Sequence, residues 1–150
     1  MKIGIPSEIK AQESRVGLTP LSVQELTNHG HDVLVQHNAG YGAGFENEDY
    51  EKAGAKIATT AGDVFNDSDM IVKVKEPQIE EVKMLRENQI LFTYLHLSAA
   101  PELTKGLVKS KSICIAYETV TDEHKRLPLL APMSAVAGRM SIQAGAHSLE

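Results

Sequence analysis

Apolar residues in this chain come in short runs, each followed by a stretch in which apolar positions recur every three or four residues. The alternating or continuous runs predict strands over residues 2–6, 31–36, 56–59, 69–75, 89–96 and 112–117. The last of these, SICIAY, reads as a fully buried strand. Thr19 followed by Pro20 predicts a helix with a hydroxyl N-cap and proline at its first position, stopping near Gly30. Further helices are expected from Asn47 to Gly54, after Thr60 (with Asp63 closing a capping box), over residues 78–87 and over 101–109. Strand and helix therefore alternate along most of the chain. That order implies an α/β fold with right-handed crossovers: a mostly parallel, doubly wound sheet of flavodoxin or Rossmann type, with helices on both faces. Ligands of such sheets bind beyond the carboxyl ends of the strands. Polar residues at those ends are the ones to weigh.

The final stretch departs from this rhythm. Residues 127–132, LPLLAP, carry two prolines and read as a connector. From Met133 onward a helix is expected, with Ala137, Ser141, Gly145 and Ser148 giving one face on which another backbone could come close. It reaches Glu150 with no stop signal. The expected organisation is a domain over residues 1–130, then the opening helix of a following domain over 131–150.

Composition narrows the classes. A net charge of −5 disfavours nucleic-acid or anionic-membrane partners, which need a basic footprint. No apolar run approaches a membrane span, and the start MKIGIPSEIK has no signal-peptide core. Cys114 stands alone, so neither a disulfide framework nor a cysteine metal site is expected. A soluble, cytoplasmic protein is the reading that remains.

Gly40, Gly42 and Gly44 form a G-x-G-x-G run after the second strand, with Phe45 where a dinucleotide fingerprint has its third glycine. Glu46, Glu48 and Asp49 open the next helix and would repel a pyrophosphate from its positive end. The run is read as a turn, lying away from the functional site.

Three other residues carry candidate chemistry. Lys75 closes a strand, and Pro77 holds Glu76 extended behind it; Lys73, two residues earlier, should share its face. His96 ends the most apolar strand, ILFTYLH, and has a side chain that titrates near neutral pH. Arg15, in QESRVG after the first strand, has a guanidinium that can clamp a carboxylate bidentately. Each alone is more often a solvated charge or a satisfied histidine. Delivered by three loops to one sheet edge, they suit a small 2-oxo or 2-amino acid: a cation for carboxylate, a donor for carbonyl, an acid–base group. Two cations near His96 would disfavour its protonated form.

With these blocks in view, the chain resembles the alanine dehydrogenase family. IGIPSEIK, ESRVGLTP, VKVKEP, LFTYLHLSAAPELT, AYETV and LPLLAPMSAVAGRMSIQAGA match it in order and spacing over essentially the whole length. Transhydrogenase subunits share the plan but are less similar in the KEP and LHLSAA blocks. The resemblance implies NAD-dependent, reversible oxidative deamination of L-alanine to pyruvate and ammonium. It also implies Arg15 on the substrate carboxylate, Lys75 bonded to pyruvate, and His96 as the acid–base residue. Ser134 would contact the dinucleotide and Met133 would line its nicotinamide side; Ala135 stands where many relatives carry Glu.

The family's NAD-binding domain, with its G-x-G-x-x-G loop and catalytic aspartate, is expected beyond Glu150, so the chain alone should be inactive. The parent assembly implied is a homohexamer, and no metal is implied. Rival readings are a transhydrogenase subunit, a saccharopine-dehydrogenase-like enzyme, or a non-catalytic binding module.

Overall fold

Six strands form where apolar runs were expected, each shorter at one or both ends: β1 (Lys2–Ile5), β2 (Asp32–Gln36), β3 (Lys56–Ala58), β4 (Met70–Val72), β5 (Ile90–Thr93) and β6 (Ile113–Ala116). The helices are α1 (Pro20–Asn28), α2 (Asn47–Lys52), α3 (Ala61–Asp67), α4 (Ile79–Val82), α5 (Pro101–Ser110) and α6 (Ala131–Ser148). These come from a computed structural model that describes residues 1–150. The strands make one all-parallel α/β sheet in the order β3-β2-β1-β4-β5-β6. From β1 the chain winds outward through β2 and β3, then returns to β4 on the other side of β1. Successive connections from β1 and from β4 thus run to opposite sides of the sheet, and the β1–β4 boundary is the switch point at which such sheets bind ligands.

Local chemistry explains the boundaries. Thr19 Oγ1 accepts the Ser22 amide at 3.3 Å and starts α1 at Pro20. Thr60 and Asp63 close the expected capping box at α3: Asp63 Oδ2 accepts the Thr60 amide at 3.0 Å, and Thr60 Oγ1 accepts the Asp63 amide at 3.2 Å. Ile5, Val33 and Val35 pack with Val23 of α1 and Tyr50 of α2 on one sheet face. Gly4, on the opposite face by strand alternation, lies against Val64 of α3 and Ser68. Helices thus cover both faces around β1.

Four expectations need correction. The helix over residues 78–87 is a single turn, α4, ending at Val82. The following chain turns so that Arg86 Nη2 donates to Ser68 O at 2.7 Å and Gln89 Nε2 donates to Phe65 O at 2.7 Å and Ser68 O at 2.8 Å. Those carbonyls belong to the end of α3, which would otherwise lack partners. β4 stops at Val72, not Lys75, so the alternation rule no longer governs Lys73: it turns into the interior. β6 is an edge strand with one face open, Ile113 being 50% and Ile115 40% exposed, not a buried strand. The fourth correction concerns the glycine run and belongs to the site below.

Residues Met1–Ile115 form one compact unit and Ala116–Glu150 a second. α6, in the second unit, is exposed along its whole length. No helix is long and apolar enough to cross a membrane.

Candidate functional site

The loop after β1 and the segments after β4 and β5 carry Arg15, Lys75 and His96 respectively to the carboxyl edge of the sheet; β5 stops at Thr93, so His96 lies beyond the strand it was expected to end. Their partners tie them together. Glu13 accepts from Arg15 through Nε at 2.8 Å and Nη2 at 2.6 Å, a bidentate clamp. The same carboxylate takes the Arg15 amide at 2.9 Å. Arg15's hydrogen bonds outweigh the cost of burial and, with Lys75 adding its charge, hold Glu13 down at about 2. Arg15 is raised in turn, first by its hydrogen bond to Glu13 and, against the cost of burial, by the charges of Glu13 and Glu8. Arg15 and Lys75 thus share one electrostatic neighbourhood.

His96 is reached through Glu76. Glu76 Oε1 pairs with Lys10 Nζ, while its Oε2 is buried without a hydrogen bond, 4.0 Å from His96 Nδ1. Burial pushes the Glu76 carboxyl up, but Lys10 and its own backbone amide bring it below the usual carboxylate range. The His96 backbone has φ +50°, a conformation uncommon outside glycine, which turns the residue out of the β5 line. Its ring lies 6.2 Å from that of Tyr94 and is 56% exposed. A carboxylate, that of Glu76, thus stands beside the His96 ring.

Beneath this rim lies a second cluster. Lys73, 1% exposed, sits with its Nζ 3.1 Å from Glu8 Oε2 and 2.8 Å from Glu81 Oε1; both glutamates are 2% exposed. Glu8 Oε1 accepts the Val74 amide at 2.6 Å and Oε2 the Lys75 amide at a longer 3.4 Å. From the β5 side, Thr93 Oγ1 donates to Lys75 O at 2.9 Å. Burial pushes Glu81 above the usual carboxylate range, against the pull of Lys73.

Two close approaches seat the Arg15 loop. A Cβ on Gly17 would fall 2.6 Å from Val72 O, so only glycine lets that loop lie on the end of β4. A Cβ on Gly42 would fall 2.8 Å from Ser14 O. The turn over residues 40–44 therefore does not lie elsewhere: it backs the residue next to Arg15. The acidic start of α2 is occupied by its own side chain, Asp49 Oδ2 accepting the Glu46 amide at 3.0 Å. Ser134 and Met133 stand exposed near the start of α6 in the second unit.

The sequence of the family described as "Alanine dehydrogenase/PNT, N-terminal domain" matches residues 4–137. The chain belongs to this family. Its relatives in the alanine dehydrogenase/PNT N-terminal domain family include alanine dehydrogenases of Halomonas elongata, 58% identical over 150 residues, and Methanococcus maripaludis, 51% identical over 150 residues. In each case the match takes in 100% of this chain and 40% of the relative. A solved L-alanine dehydrogenase superposes with a TM-score of 0.91 at 51% identity, over 98% of this chain and 40% of that one. A transhydrogenase from Sinorhizobium meliloti gives 0.74 at 29% identity, over 79% of this chain and 35% of that one. The chain thus spans about two-fifths of the length of the relatives it matches.

Sequence reasoning found the three candidates and missed the glutamates around them. Glu13 could have been suspected from its spacing of two from Arg15. Glu8 with Lys73 and Lys10 with Glu76 pair across 65 and 66 residues, and no local pattern announces them.

Proposed function

We propose that this chain is the substrate-binding part of an NAD-dependent alanine dehydrogenase, interconverting L-alanine with pyruvate and ammonium. What supports the reading is that segments following three parallel strands bring a guanidinium, an ammonium and an imidazole to the carboxyl edge of the sheet, where such sheets bind ligands. Identities of 51% to 58% with alanine dehydrogenases, against 29% with the transhydrogenase, support this activity over its nearest rival.

Arg15 would anchor the substrate carboxylate and fix Cα for reaction. Lys75 would stabilise negative charge growing on the carbonyl or carbinolamine oxygen. His96 would move the proton between water and the carbinolamine hydroxyl, its Nδ1 side facing Glu76. NAD, when bound, supplies the hydride acceptor. Ser134 and Met133, both exposed, would contact the dinucleotide, as the resemblance to the family implies. The remaining nucleotide contacts and a catalytic aspartate would come from sequence outside residues 1–150, so the chain alone would bind substrate without turning it over. A cytoplasmic homohexamer goes with this reading; the small-residue face of α6 suits its contacts.

The test uses the complete enzyme carrying this domain. Arg15→Lys keeps charge but loses the planar fork, so KM for alanine and pyruvate should rise far more than KM for NAD. Lys75→Ala should lower kcat and kcat/KM together, by about 10²–10³ for a lost preorganised donor. His96→Ala should depress kcat and erase one limb of the pH–rate profile. A His96→Ala enzyme with both limbs and near-normal turnover would make His96 a packing residue and sink the mechanism.

A further inference from the structure

At the switch point between β1 and β4 the parallel ladder ends early. β1 pairs with β4 only through Ile3 with Met70 and Gly4 with Ile71, and it ends at Ile5. The chain beyond Val72 keeps its bonds to the β5 side: the Lys73 amide donates to Phe92 O at 3.1 Å and Tyr94 donates to Val74 O at 3.3 Å. On the β1 side no strand remains to receive the next amides. A buried amide must find an acceptor, and here it is a side chain. Glu8, three residues past β1, takes the Val74 amide at 2.6 Å and reaches that of Lys75 at 3.4 Å. With Thr93 holding the Lys75 carbonyl at 2.9 Å, the backbone carrying the Lys75 ammonium is gripped from both sides.

The charge on Glu8 needs a reason as well. Burying an ion costs several kcal/mol unless it is paired, and an apolar substitute often serves stability equally well. Glu8 is paired with Lys73 Nζ at 3.1 Å, and Lys73 lies in turn 2.8 Å from Glu81. The charged oxygen is then a stronger acceptor than a neutral amide, and shorter bonds hold the peptide more tightly. Glu81 touches none of this backbone; its other oxygen accepts the Gln78 amide at the start of α4.

From this arrangement we infer that Glu8 is a positioning residue: its carboxylate, held by Lys73, replaces the missing strand at the switch point and fixes Lys75 for reaction. The inference rests on the dehydrogenase reading for its kinetic consequence, though not for its geometry. Glu8→Gln and Glu81→Gln each remove one negative charge from the same buried cluster, so a purely structural role predicts similar effects. Positioning predicts a split.

In the complete enzyme, Glu8→Gln should lower kcat with alanine at least tenfold with KM for NAD unchanged, whereas Glu81→Gln should stay within threefold of the parent. Glu8→Asp keeps the charge but withdraws the acceptor by one methylene, and it should lower kcat as well; it serves if Glu8→Gln does not fold. On the 150-residue chain itself, amide exchange at Val74 and Lys75 should quicken at least tenfold in Glu8→Gln relative to Val33 and Val35. Equal kcat losses in Glu8→Gln and Glu81→Gln, or unchanged amide exchange in Glu8→Gln, overturn the proposal. An inactive parent enzyme would sink the functional reading alone, leaving the exchange measurement to decide on Glu8.

Discussion

Two layers of glutamate and lysine lie at the same sheet edge and behave differently. In the deep layer Glu8, Lys73 and Glu81 are sealed from solvent and bond to one another and to backbone. In the shallow layer Glu13 holds Arg15, and Glu76 stands between Lys10 and His96, with the basic partners half open to water. The same chemistry makes a frame at one depth and an exchangeable set of partners at the other. A guanidinium clamped by its own chain's carboxylate yet half open to water is the arrangement that the proposed carboxylate-binding role of Arg15 calls for. A lysine locked between two buried carboxylates can do neither. The titrations diverge accordingly: Arg15 holds Glu13 down, while burial drives Glu81 up.

The largest expected effect tests depth directly by making one change in both layers. Lys73→Met leaves two carboxylates in the interior without their cation and should cost about 3–5 kcal/mol. Lys10→Met removes a half-exposed partner of Glu76 and should cost no more than about 1 kcal/mol. Urea midpoints of the two variants against the parent chain measure the difference. Equal losses would dissolve the distinction between the layers.

A smaller effect concerns the contact joining them. The loop bearing Arg15 rests on β4 at Gly17, where a Cβ would come 2.6 Å from Val72 O. Backbone on both sides leaves little room to yield, so Gly17→Ala should destabilise by about 1–3 kcal/mol, as overpacking does. Thermal denaturation of this variant should show a lowered Tm. An unchanged Tm would mean the loop floats free of the frame.

The residues show why one layer was more legible in sequence than the other. Strand runs such as IGI, VLV and MIV are continuous apolar segments, and their alternation with helices dictated the parallel sheet before any coordinate was known. Arg15, Lys75 and His96 could be singled out because strand ends are where such sheets place ligands. What could not be read depends on contacts between distant segments. Lys73 looks like a strand residue on the face of Lys75 until β4 is seen to stop at Val72. α4 looks longer until Arg86 and Gln89 are seen to turn back onto the carbonyls of Phe65 and Ser68. The open face of β6, with Ile113 and Ile115 on it, depends on what packs over the sheet, which its own apolar sequence does not encode.

The smallest expected effect isolates the shallow layer by its titration. Glu13 is held at about 2 in the folded chain, chiefly by its hydrogen bonds with Arg15, against an ordinary value of 4.5. A carboxyl depressed in this way stabilises the fold above its unfolded pKa, and that contribution is lost as pH falls through the folded one. The loss should therefore run from roughly pH 4.5 down towards pH 2. Glu81 works in the opposite sense: raised by burial, it favours the folded state when protonated and withdraws that support as pH rises through its folded pKa. Glu13→Gln cannot titrate, so its stability should fall less steeply than the parent's across the window. Partial exposure of Arg15 to solvent screens the pair and keeps the difference modest. Urea midpoints taken at half-unit intervals of pH, parent beside variant, should diverge above pH 4.5 and converge towards pH 2. Parallel curves throughout would mean that Glu13 and Arg15 contribute no more together than apart, and that the shallow layer is held by packing rather than by charge.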